Sequence, residues 1–159
     1  MPSTKERCGG SGPIAREETV ILHFNFEELS ALREGARMFL EESGGEHAPV
    51  AAPPVERVRV QDLMARLDGD LSIETLSEQR EVAQALTAIV GVLRAEMEST
   101  VLAHHPGAES AVTSYFDFGH ALAVLGRVER IGSEMEAVIE VVTGGEATDE
   151  IARTFVFPN

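Results

Sequence analysis

The sequence predicts a predominantly helical α+β protein, with about four packed helices and a small β element. Three observations predict it. Apolar residues recur at helical spacing through most of the chain beyond residue 26. The run TVILHFNF, rich in β-branched and aromatic residues, begins at Thr19. Clusters of Gly, Pro and Ser divide the rest of the chain into segments of helical length.

Each element can be justified from its residues. Residues 1–16 combine Gly9, Gly10, Gly12, Pro13, Ser3 and Ser11 with scattered charge, a composition of a flexible tail, so residues 17–159 form the single domain. Val20, Leu22, Phe24 and Phe26 alternate on one side of a strand over 19–25. Asn25 then suits a helix N-cap with Glu28 completing a capping box, and Leu29, Leu32, Ala36, Phe39 and Leu40 extend that helix to about residue 43. Gly44, Gly45, Pro49, Pro53 and Pro54 mark a loop. Val58 and Val60 alternate with Arg57 and Arg59, which predicts a short strand over 55–60, followed by a helical turn at QDLMARL.

Asp68, Gly69 and Asp70 punctuate, and Ser72 or Ser77 caps a long helix over 73–104. Val82, Leu86, Ile89, Leu93, Met97 and Val101 lie on one of its faces, and Pro106 with Gly107 stops it. The next segment, 109–127, is apolar on nearly every side, the pattern of a central helix. Ile131, Met135, Val138 and Val142 continue the periodicity, so 108–143 is either one helix or two joined near Gly126 or Gly132. Gly144 and Gly145 end it, Thr148 caps one more turn, and TFVFP over 154–157 is a terminal strand or an extended arm.

Composition narrows the function classes. The chain has 159 residues and Lys plus Arg total 13 against 27 Asp and Glu, a formal charge of -14 that repels phosphate backbones and anionic lipid. Direct nucleic-acid binding is therefore not expected. Nor is a membrane span, because no apolar run approaches eighteen residues. Cys8 is the only cysteine, so no internal disulfide forms, and the first residues lack the apolar stretch of a signal peptide. The expected location is cytoplasmic.

Catalytic motifs are missing from the sequence. GGSG and VTGGEA have neither the spacing nor the lysine of a phosphate-binding loop, and there is no G-x-S-x-G elbow. The densest polar chemistry is HHPGAESAVTSYFDFGH. Asp117 and His120 are three apart and share one side of a helix, as carboxylate and imidazole ligands do in metal-binding bundles. Asp117, His120, His104, His105 and Glu109 are thus the candidate metal ligands, and a transition metal is the candidate cofactor. Two facts oppose that site: the carboxylate-x-x-His motif occurs once, and antiparallel packing leaves His104 or His105 about two to three turns from His120. The plainer account joins Asp117 and His120 by a hydrogen bond, with Arg127 nearby, and lets His104 and His105 favour the negative end of a helix. Tyr115 is expected to anchor packing with its hydroxyl at the rim.

The expected function is a non-enzymatic interaction or regulatory role, through helix faces that meet a protein partner or another copy of the chain. A metal-binding protein or enzyme using Asp117 and His120 is the alternative. Nucleic-acid mimicry is a lesser one, opposed by the spread of Arg33, Arg37, Arg57, Arg59, Arg66, Arg80, Arg94, Arg127, Arg130 and Arg153 along the chain.

Overall fold

The computed structural model describes residues 20–44, 54–103 and 107–157. Among them are strand β1 (Val20–His23), helix α1 (Phe26–Gly44), helix α2 (Pro54–Arg66), strand β2 (Asp70–Ile73), helix α3 (Leu76–Ala103), helix α4 (Glu109–Thr143) and helix α5 (Asp149–Thr154). The expected tail over 1–16, Cys8, most of the proline-rich loop, His104 and His105 lie outside the described residues.

The predominantly helical α+β class is what the protein has. α3 lies at its centre and packs against α1, α2, α4 and α5. Leu76, Leu86 and Ile89 of α3 are fully buried, with Leu32 of α1, Val60 of α2 and Val124, Val128 and Ile139 of α4 around them. One hydrophobic core thus joins every helix to α3.

The start of α1 is as the sequence predicts. Asn25 Oδ1 accepts from the backbone N–H of Glu28 at 2.7 Å, and Glu28 Oε2 accepts from the N–H of Asn25 at 3.1 Å. These reciprocal bonds satisfy two donors that the first helical turn leaves open. Asn25→Ala is expected to lower stability by about 1 kcal/mol, read as an earlier midpoint in urea unfolding.

The β element differs from expectation. β1 pairs antiparallel with β2, with Leu22 opposite Leu71 and Val20 opposite Ile73 on the inner face. Gly69, at φ +92°, makes the turn into β2, where its carbonyl accepts from the N–H of Phe24 at 3.0 Å. Residues 55–60 are helical instead of a strand. Val60, Leu63 and Leu67 are buried at i, i+3 and i+7, whereas Val58 is 52% exposed. Helical burial over about two turns outweighs an alternation two valines long, and Pro54 suits the first helical position.

Consequently the long helix begins at Leu76, not residue 73, because Ile73 is needed in the sheet. Its cap is Thr75 instead of Ser72 or Ser77: Thr75 Oγ1 accepts from the N–H of Glu78 at 3.2 Å. At the far end α4 is one helix of 35 residues, unbroken at Gly126 and Gly132. Gly132 is where Gln79 crosses from α3, its Nε2 donating to the Val128 carbonyl at 2.8 Å. Gly144, at φ +74°, closes the helix, its N–H donating to the carbonyl of Glu140. Thr148 caps α5 as expected. Residues 155–157 form an extended arm and not a strand, held where the N–H of Phe157 donates to the carbonyl of Glu74 at 3.2 Å.

Candidate functional site

The two ends of α4 are built differently. From Ala121 onward the helix has the ordinary pattern, with Ala121, Val124, Leu125, Val128, Met135 and Ile139 buried against the core. Over its first turns, the side turned toward α1 and α3 carries Ser110, Thr113, Ser114 and Asp117 instead. Val112, Tyr115, Phe116 and Leu122 are on the outside, 41%, 60%, 56% and 46% exposed. Gly119, Ala123 and Gly126 are exposed between them at helical spacing. Only Ala111 and, in part, Phe118 still reach the core from this half. Over these turns the helix is thus polar beside the cleft and carries large apolar side chains toward water on its outer face.

The apolar face is continuous. The Tyr115 and Phe116 rings meet edge to face at 5.8 Å, and Phe116 stacks toward His120 at 6.5 Å. These rings contact one another along the helix surface, where solvent reaches them, and such a patch marks a recognition surface more often than an isolated exposed leucine does.

On the inner side lies a cleft of about 480 Å³, lined by Glu34 and Met38 of α1, Leu93, Glu96 and Thr100 of α3, and Glu109, Ser110, Thr113, Ser114 and Asp117 of α4. It adjoins a second cavity of about 590 Å³ that shares Glu34, Thr113 and Asp117 and adds Phe26, Ser30, Arg33 and Arg37. Arg37 spans Glu34 at 2.5 Å and Glu41 at 2.7 Å. Its hydrogen bond holds the Glu34 carboxyl below the ordinary carboxylate range. Asp117 is pushed the other way, first by burial and then by the charge of Glu34, while His120 opposes the shift.

That shift has a sign for stability. Because the folded carboxyl is harder to ionise than the unfolded one, the native state keeps its proton to higher pH. Its contribution to stability is greatest below about pH 4 and declines as pH rises through the folded value. Asp117→Asn is expected to raise Tm at pH 7 and leave it unchanged below about pH 4; a Tm gain independent of pH would contradict this account.

The structure brings Glu109 and Asp117 to one cleft, but His120 is not among its lining residues. Asp117 and His120 are not joined by a hydrogen bond among the described residues, and Arg127 turns away to Glu28 and the His23 carbonyl. Among the described residues, no group of three or more His, Cys, Asp and Glu side chains is disposed to hold a metal ion. Tyr115 does not anchor the core: it stands on the outer face. Nor is the first half of α4 central, since α1 and α3 cover one side of it only. Sequence reasoning does not find Glu34 and Glu96 as cleft residues; each reads as part of a solvated helix face, and nothing local signals that they converge.

The fold and this surface define a helical α+β protein with an open apolar helix face beside an acidic cleft. The chain matches no protein-family model, no curated protein and no solved structure with which it was compared.

Proposed function

We propose that this is a non-enzymatic interaction or regulatory protein that works through the outer face of α4, which it presents to a protein partner or to another copy of itself. The observation that supports the reading is the apolar outer face over residues 112–126, where Tyr115, Phe116 and Leu122 are exposed while Ser110, Thr113 and Asp117 line the cleft. Exposing those rings opposes solubility and adds nothing to the core, so a partner that covers them accounts for their placement. A cytoplasmic setting belongs to the proposal, consistent with a single cysteine. Among the described residues no helix is long and apolar enough to cross a membrane.

The test is a photoreactive amino acid at Leu122, activated in living cells, with the same group at Gln84 of α3 as control. Covalent adducts specific to Leu122 and lost in a Phe116→Asp background are expected. If Leu122 gives no adduct beyond the Gln84 control, the outer face is not an interaction surface.

The second reading, a metal-binding protein or enzyme using Asp117 and His120, has less support, because among the described residues no three His, Cys, Asp or Glu side chains gather to hold an ion. Elemental analysis of untagged protein, together with Tm on addition of zinc or manganese, tests it: stoichiometric metal with a raised Tm supports it, and no metal with an unchanged Tm removes it.

A further inference from the structure

We infer that the occupant of the outer face of α4 is a second copy of this chain, the two α4 helices crossing antiparallel about a two-fold axis at Gly119. The inference rests on the reading of that face as an interaction surface. A two-fold interface must complement itself, each position meeting its counterpart on the other copy. The face does so about Gly119. Pairing it antiparallel sets Val112 against Gly126, Tyr115 against Ala123 and Phe116 against Leu122 of the other copy, while Gly119 meets itself. The bulky residues lie toward one end and the small ones toward the other, so each large side chain meets a space left by a small one, apart from the Phe116 and Leu122 pair, which fills the flanks. Parallel pairing would set Tyr115 and Phe116 against themselves and leave Gly126 facing Gly126.

Glycine at the crossing point permits close approach, and a Cβ added at Gly119 or Gly126 meets no atom within 4 Å in the single chain, so their smallness serves no packing within it. The area suits a dimer. Aromatic side chains bury about 150–250 Å² each, so Tyr115 and Phe116 at 60% and 56% exposure offer on the order of 200 Å². With Val112, Leu122 and the small residues, each copy contributes roughly 500 Å², near the lower limit of about 1,000 Å² in total for a specific interface. The N-terminal residues are a poorer occupant: residues 1–19 contain Met1 and Ile14 as their only large apolar side chains. Since each copy carries a formal charge of -14, association is expected to tighten as salt screens the repulsion.

The test uses the full chain in a Cys8→Ser background, with Val112→Cys and Gly126→Cys chains purified separately. Mixed under mild oxidation, they are expected to form a disulfide-linked dimer at least tenfold faster than either alone, because linkage requires Cα atoms within about 7 Å. Native mass spectrometry of the unaltered protein is expected to show a dimer, and Phe116→Asp, at an exposed site, to weaken it at least tenfold. A monomer at 100 µM, or self-linkage of Val112→Cys as fast as the mixture, overturns the inference. The Leu122 photo-adduct separates the two readings: a second protein captured there overturns the self-pairing and leaves the interaction surface standing, whereas no adduct removes both.

Discussion

Gly35→Val is expected to destabilise the protein by about 3 kcal/mol, the upper end of what overpacking a filled core does. A Cβ placed at Gly35 would come within 2.6 Å of Ile89 Cγ2 and 2.9 Å of Leu93 Cδ1. Neither neighbour can withdraw, since Ile89 is 0% and Leu93 2% exposed, and both belong to the core that α3 shares with every other helix. Valine's second γ-carbon adds to the clash, and the small gain in helix propensity over glycine does not offset it. Gly91→Ala is the contrasting control. It lies in α3 with nothing within 4 Å of an added Cβ, so it is expected to gain about 0.5–1 kcal/mol. Urea unfolding decides both: the midpoint falls for Gly35→Val and rises for Gly91→Ala, with the slope unchanged. An unaltered midpoint in Gly35→Val would mean that α1 and α3 do not cross at Gly35.

Arg127→Met is expected to lower stability by about 2 kcal/mol, between the values for an exposed and a buried ion pair. Arg127 joins three elements. Its Nη2 donates to Glu28 Oε2 at 2.7 Å, its Nη1 to the His23 carbonyl at 3.1 Å, and its guanidinium lies 5.8 Å from the centre of the Phe24 ring. Glu28 is only 13% exposed at its side chain and also completes the cap of α1, so removing Arg127 leaves a carboxylate poorly solvated where that helix starts. Methionine keeps much of the apolar stem, which isolates the charge from the packing. Arg127→Lys is expected to fall between, at about 1 kcal/mol, because one ammonium does not reproduce a fork aimed at two acceptors. A double-mutant cycle with Glu28→Gln measures the coupling, and a coupling near zero would show that Arg127 acts through packing alone.

Both effects depend on residues whose sequence neighbourhoods are unremarkable. Gly35 sits inside a helical pattern without a local reason for glycine, and the reason is Ile89 on another helix. Arg127 falls within the expected helix, yet its partners Glu28 and His23 lie about a hundred positions earlier in the chain. By contrast, the bonds between Asn25 and Glu28, the Thr148 cap and the Gly144 stop are legible, because each is closed by atoms within a few residues. The candidate site is legible only in part. Glu109 and Asp117 reach one cleft as their helical spacing suggests, while Glu34 and Glu96 join them through tertiary packing.

The helical class, the extent of α1, the stop of α4 at Gly144 and the core face of α3 over Val82, Leu86, Ile89 and Leu93 are written in the sequence, because helical periodicity is a local property that burial then uses, whereas of Ile131, Met135, Val138 and Val142 in α4 only Met135 is fully buried. Three features come from tertiary packing instead. DLSI is a strand because β1 supplies its hydrogen bonds, and VERVRV is a helix because Val60, Leu63 and Leu67 find one core together. The third is the direction of the first half of α4. A helix apolar on nearly every side does not specify which side to bury, and the packing of α1 and α3 settles it by turning Ser110, Thr113 and Asp117 toward the cleft while Tyr115, Phe116 and Leu122 stay in water.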